Sequence, residues 1–470
     1  MKTPVCAVLL TLLTLLAGPA MAGPLSAPRP DQQAFRALYK ELVETDTTLS
    51  HGSCTLAASR MAARLKAAGL PETGITPFSV PDHPKDGGLV AVIPGREPRL
   101  KPVLLLAHID VVEARREDWA RDPLTLIEED GYFYARGALD DKAMAAIWTD
   151  TMARLAAGPR PRRTVKLALT CGEETDGAFN GAEWLARNRR ELIDAAFALN
   201  EGGGGLSDGH GKLRTLSVQV GEKAYVDFVL TATNPGGHSS QPVRDNAIYA
   251  MSDALAKLRE LEFPLEFNAT TRAFFATSGP LNGGETGAAM VALAANPADK
   301  AAEAVVNRDK LYHSLLRTTC VPTMIAGGHA KNALPQKVTV NVNCRMFPGR
   351  SIAETQARLA TTIADPAIAI RPNRLDKPIA AVPPMAPAVL DPMHKLAAKH
   401  FPGVPIVPFM STGATDGVYM SAVGIPTYGV PGIWTDPDGN GMHGLNERIA
   451  VRALMDGRDY LFDLVRAYIE

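Results

Sequence analysis

Short, solidly apolar runs, each closing on a polar or acidic residue, punctuate the first half of the chain. VLLLA at 103–107 ends on His108, VKLALT at 165–170 passes through Cys171-Gly172 into Glu173-Glu174, and the run Ala195 to Leu199 ends in Asn200-Glu201. Strands with no polar alternation are those covered on both faces, as in a parallel sheet packed between helices. A further strand, Gly88 to Ile93, is stopped by Pro94-Gly95. Helical spacing predicts helices over Asp31–Leu49, with Phe35, Leu38, Leu42 and Val43 on one face, over Cys54–Ala68 before Gly69, and over Lys142–Leu155.

From about Gly221 the pattern changes. KAYVDFVLTAT and KVTVNVNCR (Lys337 to Arg345) alternate, which predicts antiparallel strands with one covered face. Between and after them the sequence predicts helices over Asn246–Leu261 and from Ile352, a short strand over Ala367–Arg371, and one added helix in the alanine-rich segment Gly284–Val306. Strand, helix, strand, helix and final strand make a ferredoxin-like block inserted into the first domain. The proline-rich Lys377–Pro392 reads as the return linker, after which a helix (Met393–His400), the strand Pro426–Val430 and a last helix with Ile449, Leu454, Leu461 and Leu464 resume the first domain. The expected fold is α/β, a mixed and mostly parallel central sheet flanked by helices, with an inserted α+β lid or dimerisation domain. The expected division is residues 1–22, 23–218, 219–377 and 378–470.

Composition narrows the function. With 470 residues and 46% hydrophobic content the chain can bury a core large enough for two domains. A formal net charge of −1 gives no electrostatic reason for nucleic acid or an anionic membrane as partner, and Arg160, Arg162 and Arg163 between prolines read as a solvated loop. Lys2, the apolar VCAVLLTLLTLL and Ala20-Met21-Ala22 have the charge, length and small-residue ending of a secretory signal peptide. The expected location is therefore periplasmic or secreted, with no membrane association after cleavage. In that setting Cys54, Cys171, Cys320 and Cys344 admit two readings, disulfides with Cys320–Cys344 the first pair to test, or four buried thiols.

The candidate chemistry sits at the strand ends. His108 and Asp110, two apart on extended chain, point the same way, and a carboxylate is what orients a metal-binding imidazole. Asp140-Asp141 before a helix is an N-cap pair when taken alone, and a candidate ligand pair when taken with Glu173-Glu174. Adjacent carboxylates repel, so two held side by side call for a cation or a shared proton. Glu201 and His443, in MHGLNE, complete the set. The four glycines after Glu201 either let a substrate approach the backbone or form a flexible loop.

HIDVV, GALDDK, CGEE, NEGG, GGHSSQP, a paired Asn and Arg in the insert and the late MHGLNE resemble, in order, the dinuclear zinc peptidases and amidohydrolases. That family includes glutamate carboxypeptidase, aminoacylase, succinyl-diaminopimelate desuccinylase and secreted or vacuolar carboxypeptidases, the last being the branch this chain most resembles. The resemblance implies two Zn2+, replaceable by Co2+ or Mn2+. His108 and Glu201 would hold one, Glu174 and His443 the other, and Asp140 would bridge. Asp110 would orient His108, and Glu173 would be the general base. It further implies that His238 stabilises the transition state, often across a dimer interface, and that Asn332, Arg345 and Gly413 contact substrate. The implied substrate is a small peptide losing its C-terminal residue, or alternatively an N-acyl amino acid or a dipeptide. A binding protein that has lost turnover is a further alternative, but it requires a missing ligand or base, and none is missing.

Overall fold

A computed structural model describes residues 29–175, 177–374, 378–379 and 381–470; the leader expected over residues 1–22 lies outside them. Among the described residues the apolar runs form the middle of a nine-stranded mixed sheet. Its strands stand in the order Ile75–Val80, His83–Ile93, Val165–Thr170, Val103–His108, Phe197–Asn200, Thr427–Gly429, Leu213–Glu222 and Ile406–Ser411, with Gly204–Ser207 paired to Leu213–Glu222. Val103–His108 runs parallel to both neighbours, which explains why every residue in it is buried. Alternate side chains feed different cores. Leu105 and Ala107 join the cluster under Pro30–Val43, Cys54–Ala67, Lys142–Ala156 and Val451–Ile469, whereas Leu104 and Leu106 join the one under Gly181–Asn188 and Gly417–Ala422. Each such leucine contributes about 1.5–3 kcal/mol by burial, so the strand ends are held on a stiff frame.

The inserted block is a four-stranded antiparallel sheet in the order Thr319–Gly327, Lys337–Met346, Ala224–Thr233, Ala369–Pro372. Helices Ala247–Arg259 and Ile352–Ile363 cover one face around Phe228, Leu230, Val340 and Leu359. This is the expected ferredoxin-like arrangement with one strand that alternation does not reveal. Thr319–Gly327 is an edge strand carrying Pro322, and its Val321, Met324 and Ile325 are 56%, 72% and 66% exposed. Edge strands tolerate proline and need no covered face, so the periodic signal is lost there.

Three other expectations change. The first helix ends at Val43, not Leu49, because Asp46 accepts from the backbone N–H and the hydroxyl of Thr48, a side-chain turn that competes with helix. The alanine-rich segment is two helices, Gly284–Ala295 and Lys300–Val306, the second capped by Asp299. With Ala269–Asn282 and Lys310–Leu315 they pack a small core of their own around Phe275, Met290 and Leu293. The linker's last residues already belong to a helix, Pro387–His400.

Both cysteine pairs are disulfides. Cys320 and Cys344 face each other across neighbouring strands, as anticipated, and Cys54 at the start of its helix joins Cys171, two residues before Glu173.

Candidate metal centre

Parallel strands in register finish on the same side of a sheet, so the ends of Val103–His108, Val165–Thr170 and Phe197–Asn200 bring His108, Glu173-Glu174 and Glu201 to one rim. Asp140, just before helix Lys142–Ala156, and His443, from the loop ahead of the last helix, close over it. The Asp140 carboxylate lies between two imidazoles, with Oδ1 3.3 Å from His108 Nε2 and Oδ2 3.0 Å from His443 Nε2. Glu174 Oε2 is 2.9 Å from His443 Nε2, and Glu201 Oε1 is 3.7 Å from His108 Nε2. The five ligand candidates therefore split into two sets sharing one acid.

His108 is positioned from behind. Its Nδ1 lies 3.1 Å from the Asp110 carbonyl and 3.5 Å from the Asp110 carboxylate, while Asp110 Oδ2 accepts from the Glu174 backbone N–H at 3.1 Å. With Nδ1 taken, Nε2 is buried and has no hydrogen-bond partner. A buried ring nitrogen without a hydrogen-bond partner, facing the Asp140 and Glu201 carboxylates, is a donor set that suits a divalent cation. The other cluster of possible donors, Cys54, Asp110 and Cys171, does not, because its two sulfurs are bonded to each other.

Burial dominates the electrostatics. It opposes charge on His108, but Asp110 and Asp140 outweigh it and hold the imidazole well above its ordinary pKa. His443 is raised to about 10 by its hydrogen bonds to Asp140 and Glu174. Burial also pushes Glu173 and Glu201 well above the usual carboxylate range, with neighbouring acids adding to the effect. Asp140 goes the other way, since the two imidazoles overcome its burial. These groups occupy positions that are costly without a counter-charge.

Sequence reasoning gave no role to two supports. Glu447 is fully buried; it accepts from the backbone N–H groups of Gly137, Leu139 and Asp140 at 2.8–3.0 Å and pairs with Arg136 at 2.7 Å, which ties the His443 loop to the Asp140 loop. Asp416 accepts from Thr170 at 2.8 Å and from Asn180 at 2.7 Å, and Asn180 in turn donates to the Gly172 carbonyl beside Glu173. Their signal was their place in MHGLNE and STGATDG, two stretches already singled out for neighbouring residues.

Two cavities share Glu173, Ala414, Thr415 and His443 in their linings. The one of about 310 Å3 contains Arg345, Tyr225 and Arg374, with the Arg345 guanidinium 4.5 Å above the Tyr225 ring. The other, about 500 Å3, contains Asp140, Glu201, Gly413 and all four glycines 202–205. The glycines are no flexible loop. Gly202 has φ 94°, a Cβ on Gly203 would lie 2.4 Å from the carbonyl oxygens of Gly429 and Val430, and Gly204 and Gly205 begin a strand. Arg345 lines the smaller cavity and Gly413 the larger one. His238 and Asn332 do not line either cavity: His238 pairs with Ala333 on an exposed two-stranded ribbon, and the Asn332 carbonyl accepts from Ser239.

The chain is similar to N-fatty-acyl-amino acid synthase/hydrolase PM20D1 of Mus musculus, at 27% identity over 386 residues covering 80% of this chain and 75% of that one. It is similar to probable carboxypeptidase S-like 2 of Dictyostelium discoideum, at 27% over 389 residues covering 79% and 72%. In fold it resembles the M20 family metallo-carboxypeptidase Sso-CP2 from Sulfolobus solfataricus, with a TM-score of 0.70, 17% identity, and coverage of 92% of this chain and 99% of that one. Residues 104–467 match the model of peptidase family M20/M25/M40, and the chain belongs to that family.

Proposed function

We propose that this protein hydrolyses an amide bond next to a free carboxylate, using two divalent cations, Zn2+ by donor preference with Co2+ or Mn2+ as substitutes. One observation carries this reading: Asp140 offers one oxygen toward each imidazole while Glu174 and Glu201 complete the two sets. Mixed imidazole and carboxylate donors favour zinc without excluding neighbouring metals. When bound, such cations act as Lewis acids toward the carbonyl and the attacking water.

The chain's own residues supply the rest. Glu173 lies within 4.8 Å of the ligand atoms of His108 and Glu201 and lines both cavities, which suits a base beside the cations that takes the water's proton on a carboxylate oxygen and returns it to the leaving nitrogen. Asp110 keeps His108 in one tautomer. Arg345 holds the substrate carboxylate, for which a planar fork with two donors is the matching shape. Release of a C-terminal residue from a small peptide and deacylation of an N-acyl amino acid both present that carboxylate, and the named relatives include both kinds of enzyme.

Three further assignments belong to the same proposal. The enzyme is periplasmic or secreted, which two disulfides support; among the described residues no helix is long and apolar enough to cross a membrane. The insert, residues 219–377, serves as lid and dimerisation domain through the exposed edge strand Thr319–Gly327. His238 then acts as a donor to the developing oxyanion, and Asn332 as a substrate contact, in the partner's site rather than in its own.

The test is a panel of dipeptides and N-acyl amino acids, each with a free or an amidated carboxylate, given to protein of measured metal content. Turnover restricted to free carboxylates and abolished by a chelator is expected. Equal turnover of the amidated series would remove the assignment of Arg345.

A further inference from the structure

On the insert's two central strands Val226, Phe228, Val342 and Cys344 face the helices, so the positions between them, Tyr225, Asp227, Asn343 and Arg345, share the other face. The register sets them in pairs, Tyr225 opposite Arg345 and Asp227 opposite Asn343. Asp227 is only 8% exposed although no helix covers this face, and neutral donors satisfy its carboxylate. Oδ2 accepts from the Tyr225 hydroxyl at 2.7 Å, and Oδ1 accepts from the side-chain amides of Asn341 and Asn343, each at 2.9 Å. Asn343 uses its own Oδ1 to accept from Arg345 Nε at 3.3 Å, while the Arg345 guanidinium lies 4.5 Å above the Tyr225 ring. Asp227 therefore reaches Arg345 by two routes, one through an amide and one through an aromatic ring.

A carboxylate placed directly against a guanidinium occupies its fork, whereas one held a side chain away leaves the fork to a ligand. A phenol that donates to a carboxylate also gains electron density in its ring, which strengthens the pull on a cation above it. Burial lowers the Arg345 pKa, and Tyr225 and Asp227 act against that loss of charge. With Nε turned to Asn343 and the ring below, the two terminal nitrogens remain for a group in the smaller cavity, which Tyr225 and Arg345 both line. We infer that Asp227 is a positioning residue: through Tyr225 and Asn343 it fixes the plane of the Arg345 guanidinium and so sets the affinity for the carboxylate of the amino acid that leaves, a role that rests on the hydrolase reading above and deepens it. A neutral residue at 227 leaves Arg345 in the cavity but less firmly oriented and less strongly held over its ring.

The experiment takes the metal-loaded full chain and the dipeptide or N-acyl amino acid it turns over fastest. It measures kcat, KM and inhibition by the released amino acid and by that amino acid's amide. Asp227→Asn keeps the shape and loses the charge; it should raise KM, and weaken inhibition by the free amino acid, by about ten-fold, with kcat falling less than KM rises and the amide's inhibition hardly moving. Tyr225→Phe keeps the ring and loses the hydroxyl, and should shift the same constants in the same direction by about three-fold. Equal losses for amino acid and amide would make Asp227 a structural residue and overturn its positioning role. Parental constants in both variants, with Arg345→Ala weakening the free amino acid alone, would overturn that role and leave the hydrolase reading standing. If Arg345→Ala treats the two inhibitors alike, or nothing is turned over with metal bound, the reading itself falls and the role of Asp227 falls with it. Should Asp227→Asn fail to fold, Tyr225→Phe decides.

Discussion

The two sheets use their residues in opposite ways. The large sheet surrounds its central strands with apolar side chains on both faces and places imidazoles and carboxylates at their ends, in positions whose burial disfavours charge. The insert's sheet covers one face and leaves Val321, Met324 and Ile325 open along its edge. The first holds acids where burial disfavours their charge, which a cation or a shared proton would relax; the second leaves an apolar edge exposed. Electrostatic perturbation belongs to the large sheet and the proposed association to the insert, and each can be broken separately.

The largest effect should come from Asp140→Ala, which removes the acid shared by both sets: metal analysis is expected to show loss of bound cation, and turnover should fall to background. Glu173→Ala should keep its metal and lose about 10²–10⁴-fold in kcat, the usual contribution of a general base. Residual activity equal to the parent would remove that assignment. On the insert, Met324→Glu with Ile325→Glu should give a monomer by gel filtration that retains metal. If His238 reaches across the interface, kcat should fall about 10²-fold, the cost of one oxyanion donor. A fully active monomer would confine His238 to a structural role.

The central strands of the large sheet could be read from the sequence because they are continuous apolar runs with chemistry at their ends, whereas Gly204–Ser207, Leu213–Glu222 and Ile406–Ser411, which carry no such pattern, could not. The edge strand Thr319–Gly327 could not, since exposure and Pro322 erase its period. The paired strand Ile75–Val80 was missed because ITPFSV alternates imperfectly around a proline. The roles of Glu447 and Asp416 were hidden for a different reason: both act by accepting from groups remote in sequence, and no local pattern records which backbone N–H a buried carboxylate will meet. The pairing of Cys54 with Cys171 was equally illegible, because a separation of 117 residues is resolved only when helix and strand have packed.

Lys223 sits where the two sheets join, between strands Leu213–Glu222 and Ala224–Thr233, and it sharpens the comparison. Its ammonium is fully buried and donates to the Ser314 carbonyl at 3.0 Å and to Thr319 at 3.1 Å. Burial, with Arg345 and Arg317 nearby, lowers its pKa to about 7 from 10.5. Between those values the unfolded chain carries a proton that the folded chain lacks, so this group's contribution to stability grows as pH rises, by at most about 1.4 kcal/mol per unit. Lys223→Met abolishes that slope. Whatever the lost hydrogen bonds cost at every pH, the variant's melting temperature relative to the parent should be most favourable near pH 7 and decline toward pH 9. A pH-independent difference would mean the lysine keeps its charge when folded.

The smallest effect separates the two disulfides. Cys54–Cys171 belongs to the large sheet and closes 117 residues, while Cys320–Cys344 belongs to the insert and closes 24. Loop-closure entropy grows with the logarithm of length, so the first should stabilise by about 1.4 kcal/mol more than the second. Cys54→Ser/Cys171→Ser should therefore melt lower than Cys320→Ser/Cys344→Ser. The kinetic consequences should differ more sharply than the thermal ones. Cys171 adjoins Gly172 and Glu173, so loss of its bridge should reduce kcat in a protein that is still folded, whereas loss of the insert's bridge should leave kcat per folded molecule close to the parent's. Equal kcat losses in the two variants would mean that the Glu173 loop is held by Asn180 and Asp416 without help from the disulfide.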